Sequence, residues 1–109
     1  MANPMIERFQ SMLDGGTDGA LLRFGLAKAL MDEDRVSEAL PHLHQAVEQD
    51  PGYSAAWKLL GLCLLRTQAP ADALRTFEKG IEVAQGRGDK QAMKEMEVFA
   101  RRARRAMES

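Results

Sequence analysis

Apolar residues recur at intervals of three and four positions along most of this chain, which is the spacing of one face of an α-helix. At the start, Asn3 can accept hydrogen bonds from the free first-turn amides, and Pro4 suits the first helical position. Gly15 and Gly16 interrupt the pattern. The sequence therefore predicts a helix over 4–14, with these side chains facing inward: Met5, Ile6, Phe9, Met12 and Leu13.

Two further helices precede the break at Asp50-Pro51-Gly52. Asp18 is the expected cap of the second, which runs to about residue 31 with these residues inward: Leu22, Leu26, Ala27 and Leu30. The third begins at Val36, and its inner face carries Ala39, Leu40, Leu43, Ala46 and Val47. Pro41 lies beyond the first turn of the third helix, where it removes the hydrogen bond to the carbonyl of Ser37. We expect a loosened or kinked start to this helix, unless the helix begins later.

The second half of the chain predicts three more helices. The fourth runs from Tyr53 to about Thr67, and Pro70 opens a fifth that ends near residues 86–88. Asp89 caps the sixth, whose inward residues are Ala92, Met93, Met96, Phe99, Ala100, Ala103 and Met107. Helices joined by such short turns run antiparallel to their neighbours. The predicted fold class is all-α, an antiparallel stack of helix hairpins with about six helices.

Two parts of the chain correspond at an offset of 34 positions, with size class and polarity kept in every pair. The inward pairs are Leu26 with Leu60, Ala27 with Gly61, Leu30 with Leu64, Ala39 with Ala73, Leu40 with Leu74, Leu43 with Phe77, Ala46 with Gly80, and Val47 with Ile81. One helix-pair unit is therefore present twice.

The second copy contains Trp57-x-x-Leu60-Gly61-x-x-Leu64 followed by Ala73-x-x-x-Phe77, and it resembles the tetratricopeptide repeat family. This chain departs from the family's pattern at Arg23, Gly80 and Gln85, where the family favours a large apolar residue, Ala and Pro. The resemblance implies one domain over 1–109, a short α-solenoid fragment of the family's type. Its expected parts are a flanking helix (4–14), repeat one (20–53), repeat two (54–87) and a capping helix (89–107).

Charge and composition narrow the classes of partner. The chain has 109 residues and a net charge of -1, which argues against nucleic acid or an anionic membrane as the main partner. The charge is unevenly distributed: residues 1–50 sum to -5 and residues 86–109 to +3. No apolar run approaches the roughly 20 residues that span a bilayer, and residues 1–8 lack the features of a secretory signal. Because Cys63 is the single cysteine, a reducing, cytoplasmic location is expected.

The predicted fourth helix is apolar on nearly all sides, so we expect it to be covered on more than one side. The resemblance implies a concave groove lined by Leu21, Phe24, Lys28, Met31, Lys58, Leu59, Leu62 and Leu65. One interpretation is a groove for an apolar peptide or partner helix, with its lysines available for a partner carboxylate. The other is that the terminal helix or a second copy covers these leucines. The predicted function is a protein–protein interaction module, and the alternative is a homo-oligomeric structural subunit associating through the fourth helix.

Other candidate chemistry is weak. Some family members bind a chaperone's terminal carboxylate with a lysine and asparagine set, but Phe24, Lys28 and Leu59 occupy the corresponding places here. His42 and His44 point about 200° apart on a helix and cannot bind one metal ion together. The last helix carries a basic cluster, interpreted as a solvated face with a contact to nucleic acid or an acidic protein as the alternative: Arg101, Arg102, Arg104 and Arg105. We therefore expect no cofactor, no metal and no catalytic residues.

Overall fold

The computed structural model describes residues 3–108, which form helices joined by short turns. The helices are α1 (Pro4–Asp14), α2 (Ala20–Asp32), α3 (Val36–Gln49), α4 (Ser54–Arg66), α5 (Pro70–Gly86) and α6 (Lys90–Glu108). Within this part of the chain there is no β-strand, so the predicted all-α fold class is confirmed. None of the described helices is both long and apolar enough to cross a bilayer.

The helices form two rows. Helix α2 packs against α3, and α4 packs against both α3 and α5, while α6 packs mainly against α5. In addition, α2 contacts α4 and α4 contacts α6, whereas no Cα atom of α3 lies within 8 Å of a Cα atom of α5. Neighbouring helices are therefore closer together in the row α2–α4–α6 than in the row α3–α5. The stack is consequently concave on the side of α2, α4 and α6. The predicted repeat boundaries stay a prediction, with α2–α3 inside the first repeat.

The inward positions of the repeat form the core. Leu26 and Leu43 of the first copy, and Leu60 and Phe77 of the second, are completely or almost completely buried, as is Met96 of α6. Equivalent positions thus bury equivalent side chains, and α6 adds a third layer to the same core. No charged or polar residue of the described part is buried.

Two glycines mark where the helices approach most closely. A Cβ atom on Gly61 would lie 2.3 Å from Cε1 of Phe77, so the phenyl ring occupies the space of a missing side chain. A Cβ atom on Gly80 would lie 2.4 Å from Sδ of Met96 and 3.0 Å from Cβ of Trp57. The departure from the family's usual Ala at Gly80 therefore makes room for α6.

The predicted helix starts are largely confirmed. The side chain of Asn3 accepts hydrogen bonds from the amides of Met5 and Ile6, and that of Asp89 accepts from the amide of Ala92. The expected cap at Asp18 is wrong: α2 starts after Gly19 and has no side-chain cap, because the Asp18 carboxylate instead accepts hydrogen bonds from Arg23 and Gln49.

Helix α3 starts at Val36 and continues through Pro41. The alternative of a later start is therefore wrong, while the kink stays a prediction.

Three methionines expected to face inward do not. Met5 is 56% exposed, Met12 41% and Met107 49%. Helix α1 packs only against α2 among the described helices, so a single neighbour covers only the narrow stripe that contains Ile6. Helix α6 has 19 residues and α5, its main packing partner, has 17, so α6 is longer by about 3 Å and its last residues are covered less.

Candidate binding groove

A cavity of about 350 Å³ lies between α2 and α4 on the concave side. We call it the α2–α4 cavity. Its walls combine apolar side chains with three cations and one carboxylate: Phe24, Lys28, Met31, Asp32, Ala55, Lys58, Leu59 and Arg66.

A second cavity, of about 510 Å³, lies between α4 and α6, and we call it the α4–α6 cavity. It is lined by Met31, Leu62, Leu65, Arg66, Gln68, Arg102 and Ala106. Met31 and Arg66 line both cavities, so the two are adjacent and form one depression. We refer to both cavities together as the groove.

The structure brings most of the predicted groove residues together. Seven of the eight line the groove: Phe24, Lys28, Met31, Lys58 and Leu59 in the α2–α4 cavity, and Leu62 and Leu65, again with Met31, in the α4–α6 cavity. Leu21 lines neither cavity and is 77% exposed on the first turn of α2.

Helix α6 stands beside α4 as the third helix of the inner row rather than lying across the leucines. Leu59, Leu62 and Leu65 pack against the core on one side and remain partly exposed on the other. Arg102 and Ala106 of α6 line the α4–α6 cavity. The terminal helix therefore forms a wall of the groove and leaves it open.

Phe24, which lines the α2–α4 cavity, packs against the ring of Tyr53. The ring centroids of Phe24 and Tyr53 lie 5.0 Å apart, with the rings inclined at 36°. Burial, followed by the nearby carboxylate of Asp50, raises the pKa of the Tyr53 phenol. The phenol therefore stays protonated and keeps its hydrogen-bond donor.

The four cations of the groove form two groups, one with a carboxylate partner in the described part of the chain and one without. Lys58 Nζ lies 3.1 Å from Oε1 of Glu95 on α6, and Arg66 donates to Asp34 in the α2–α3 turn at 2.5 Å. Lys28 and Arg102 make no ion pair within residues 3–108. The guanidinium of Arg102 instead lies 5.3 Å from the centroid of the Phe99 ring, a cation–π contact.

Sequence reasoning missed the groove residues Arg66, Arg102 and Ala106, and the ion-pair partner Glu95. The arginines of α6 were interpreted as one solvated face. A signal was available in the spacing, because residues 95, 102 and 106 are seven and four positions apart and so share one face of a helix. That face is the one directed at α4.

A polar cleft of about 610 Å³ lies elsewhere, between α1, α2 and α3. Arg35 donates two hydrogen bonds of 2.7 Å to Glu38 there, and this pairing lowers the pKa of the Glu38 carboxyl. Arg23 Nη1 lies 3.1 Å from Nδ1 of His42. Burial and, after it, the positive charge of Arg23 lower the pKa of His42, so the imidazole is neutral and Nδ1 is the acceptor.

Within residues 3–108, Cys63, His42 and His44 do not belong to any cluster of side chains that could hold a metal ion. Cys63 is buried, and its Sγ donates to the carbonyl of Val36 at 3.3 Å. Burial raises the pKa of this thiol, which disfavours the thiolate that binds metals. His42 faces Arg23, while His44 lies on an exposed part of α3.

Comparison with known proteins gives consistent matches. A family model described as tetratricopeptide repeat matches residues 30–95. A TPR repeat-containing protein of Pseudomonas aeruginosa is 49% identical over 102 residues, covering 94% of this chain and 97% of the relative. A protein of Bordetella parapertussis solved in solution is 44% identical, with a TM-score of 0.81 and coverage of 95% of this chain and 90% of the other.

A fourth match shares the fold at low sequence identity. The TPR2B domain of yeast Sti1, solved in a complex with pHsp70, is 18% identical with a TM-score of 0.84. The alignment covers 92% of this chain and 80% of that domain.

Proposed function

This chain belongs to the tetratricopeptide repeat family, and on that premise we propose that it is a protein-interaction module that binds a peptide or helix of a partner protein in the groove. The observation that carries the proposal is the open groove between α2, α4 and α6, with Leu59, Leu62 and Leu65 partly exposed along its floor. Partly exposed apolar side chains in a concave surface favour association with another chain.

Two further observations support a binding role. The TPR2B domain of Sti1 has the same fold and was solved in a complex, so a stack of this shape accommodates a partner. The groove walls also belong to three well-packed helices, so the site is formed before a partner arrives, and less ordering entropy is lost on binding. The role includes no catalysis of its own, and the cytoplasmic location stays a prediction.

Capture from a lysate of Pseudomonas aeruginosa tests the proposal, since that organism contains the 49% identical relative. The bait is the purified chain, compared with Leu62→Glu and with Leu21→Glu. Leu62→Glu places a charge on the groove floor, whereas Leu21→Glu makes the same change at a 77% exposed leucine outside the cavities. We expect the wild type and Leu21→Glu to retain the same proteins in mass spectrometry, and Leu62→Glu to lose them.

The folded state of the variants is checked by circular dichroism and thermal unfolding. If Leu62→Glu is unfolded, Leu62→Ser replaces it, because a hydroxyl at this partly exposed position carries a smaller desolvation cost. Unchanged capture by a folded Leu62 variant would show that partners bind elsewhere.

A homo-oligomeric subunit is the second candidate, and one observation favours it. Apolar side chains are exposed at both ends of the stack: Met5 and Met12 on α1, and Val98 and Met107 on α6. Helix α1 lies in the acidic half of the sequence, and α6 lies in the basic C-terminal part. Opposite charges and apolar patches at opposite ends suit a head-to-tail contact between copies. Association directly through α4 would require a second copy to enter the groove, because α4 lies between α2 and α6. The molar mass in solution, measured by sedimentation at micromolar concentration in low and high salt, tests this candidate. A monomer at both salt concentrations would eliminate it.

A further inference from the structure

The groove is basic in a chain that is acidic overall. Lys28, Lys58 and Arg66 line the α2–α4 cavity with a single carboxylate, Asp32, and Arg66 and Arg102 line the α4–α6 cavity with none. The net charge of the whole chain is -1. The residues that line the groove therefore carry a net positive charge, which is complementary to an acidic partner.

Two of these cations are held by carboxylates of the chain itself. The pair Lys58–Glu95 connects α4 to α6, with side-chain exposures of 30% and 41%. The pair Arg66–Asp34 connects α4 to the α2–α3 turn, with exposures of 43% and 85%. Ion pairs as exposed as these contribute little to stability, so carboxylates from another chain can replace the internal ones at small cost.

Each cavity also contains one cation that has no carboxylate partner within residues 3–108. This cation is Lys28 in the α2–α4 cavity and Arg102 in the α4–α6 cavity. An acidic segment lying along the groove meets an unpaired cation in both cavities before it displaces any internal carboxylate.

We propose that the groove binds an acidic segment of a partner protein, an inference that rests on the proposed function. The carboxylates of this segment replace Glu95 and Asp34 as the partners of Lys58 and Arg66. Lys58 and Arg66 are eight residues apart on α4, a rise of about 12 Å. An extended chain covers this distance in about four residues. The segment therefore carries acidic residues about four positions apart, with apolar side chains between them that contact Leu59 and Leu62.

Three acetylated peptides of one design test the chemistry. Each has a central Leu-Ala-Leu, flanked on both sides by a pair of Glu, Gln or Lys residues. Titration into the ¹⁵N-labelled full chain, followed by amide chemical shifts, gives both the dissociation constant and the binding surface. We expect the Glu peptide to bind most tightly and the Lys peptide most weakly, with shifts on α2, α4 and α6.

The internal competition is tested with a matched pair of variants on α6. Glu95→Gln frees Lys58 and should tighten the Glu peptide about threefold while leaving the Gln peptide unchanged. Glu97→Gln removes the same charge from the same helix, but Glu97 makes no ion pair within residues 3–108 and lies about 200° around the helix from Glu95. It should change affinity little at ordinary salt, where exposed charges are screened beyond roughly 10 Å. Asp34→Asn should act like Glu95→Gln, because Asn tolerates the left-handed backbone at that position (φ 60°).

The outcomes separate this inference from the proposed function. Equal binding of the Glu and Gln peptides, abolished by Leu62→Glu, would overturn the acidic preference and leave the groove intact. Tighter binding of the Lys peptide would overturn it as well. Failure of all three peptides at millimolar concentration, or binding unaffected by Leu62→Glu, would overturn the groove itself. An equal effect of Glu95→Gln and Glu97→Gln would show that both variants act only through the change in net charge. This result would overturn the proposed competition between Glu95 and the peptide for Lys58.

Discussion

Among single residues, Gly61 makes the closest helix–helix approach in this fold. A methyl group there would lie 2.3 Å from the completely buried ring of Phe77, which would have to shift. We expect Gly61→Ala to lower the free energy of unfolding by about 1–3 kcal/mol, although Ala is the better helix former. Urea denaturation measures the change.

A matched glycine provides the control for this prediction. Gly86 is the last residue of α5, and an added Cβ there would meet nothing within 4 Å. Gly86→Ala should change the free energy of unfolding by no more than about 0.5 kcal/mol. A gain in stability from Gly61→Ala would show that the Phe77 ring adapts and that the close approach is not required.

His42 gives the stability a dependence on pH. Its pKa in the folded chain is below the ordinary value of 6.5, first through burial and then through Arg23, with Asp18 and Glu38 opposing the shift. The unfolded chain therefore binds the proton more readily, and stability is lost as pH falls through about 6.5 toward the lower folded pKa. We expect the free energy of unfolding to fall between pH 7.5 and about 5.5, and the fall to be smaller in His42→Gln. An identical fall in both proteins would assign the effect to other groups.

Asp18 acts in a different pH range, which keeps the two effects apart. Hydrogen bonds from Arg23 and then from Gln49 lower the pKa of its carboxyl far below the ordinary value of 3.8. Its contribution to stability is complete above that value and is lost as pH falls further. Measurements above pH 5 therefore report on His42 with little contribution from Asp18.

At the scale of elements, helix α6 is as much a part of the core as the repeats. Met96 is completely buried and fills the space left by Gly80, while Val98, two positions further along, is 47% exposed. We expect Met96→Ala to cost about 2–5 kcal/mol of unfolding free energy and Val98→Ala less than about 1 kcal/mol. Similar small effects of both substitutions in urea denaturation would mean that α6 is only loosely attached.

The periodicity of apolar residues was sufficient to predict every helix, because helix formation and core burial depend on the same spacing. It could not predict how much of a helix face a neighbour covers, which is why Met5, Met12 and Met107 were misplaced. Asp18 was misassigned for a related reason: its hydrogen-bond partner Gln49 is 31 positions away, and only the folded hairpin brings the two together.

Some residues of the groove could be predicted from the sequence, and others could not. Positions on α2 and α4 follow from the repeat, since equivalent residues of the two copies face the same side. The contribution of α6 does not, because α6 follows a longer helix than α4 does, 17 residues in α5 against 14 in α3. This difference shifts the register of α6, so Arg102 and Glu95 lie at places that the 34-residue offset does not indicate.

The molecule as a whole is a linear stack, in which each helix contacts its near neighbours along the chain. Helix α4 contacts α2, α3, α5 and α6, whereas α1 contacts only α2 among the described helices. In such a stack, stability is approximately a sum of local terms, so the ends open at a lower free energy than the middle. The groove has its floor on the most connected helix and is therefore expected to stay formed when α1 opens.

Native-state hydrogen exchange tests this gradient of stability. We expect the amides of α1 to exchange through an opening that requires about 2 kcal/mol less than that of α4. Phe9 carries the contact between α1 and α2, because its ring lies 3.1 Å from the position of a Cβ on Gly25. Phe9→Ala should therefore speed exchange throughout α1 and leave the amides of α4 and α5 nearly unchanged. If the substitution speeds exchange equally in all helices, α1 unfolds only together with the whole chain, and the stack behaves as a single cooperative unit.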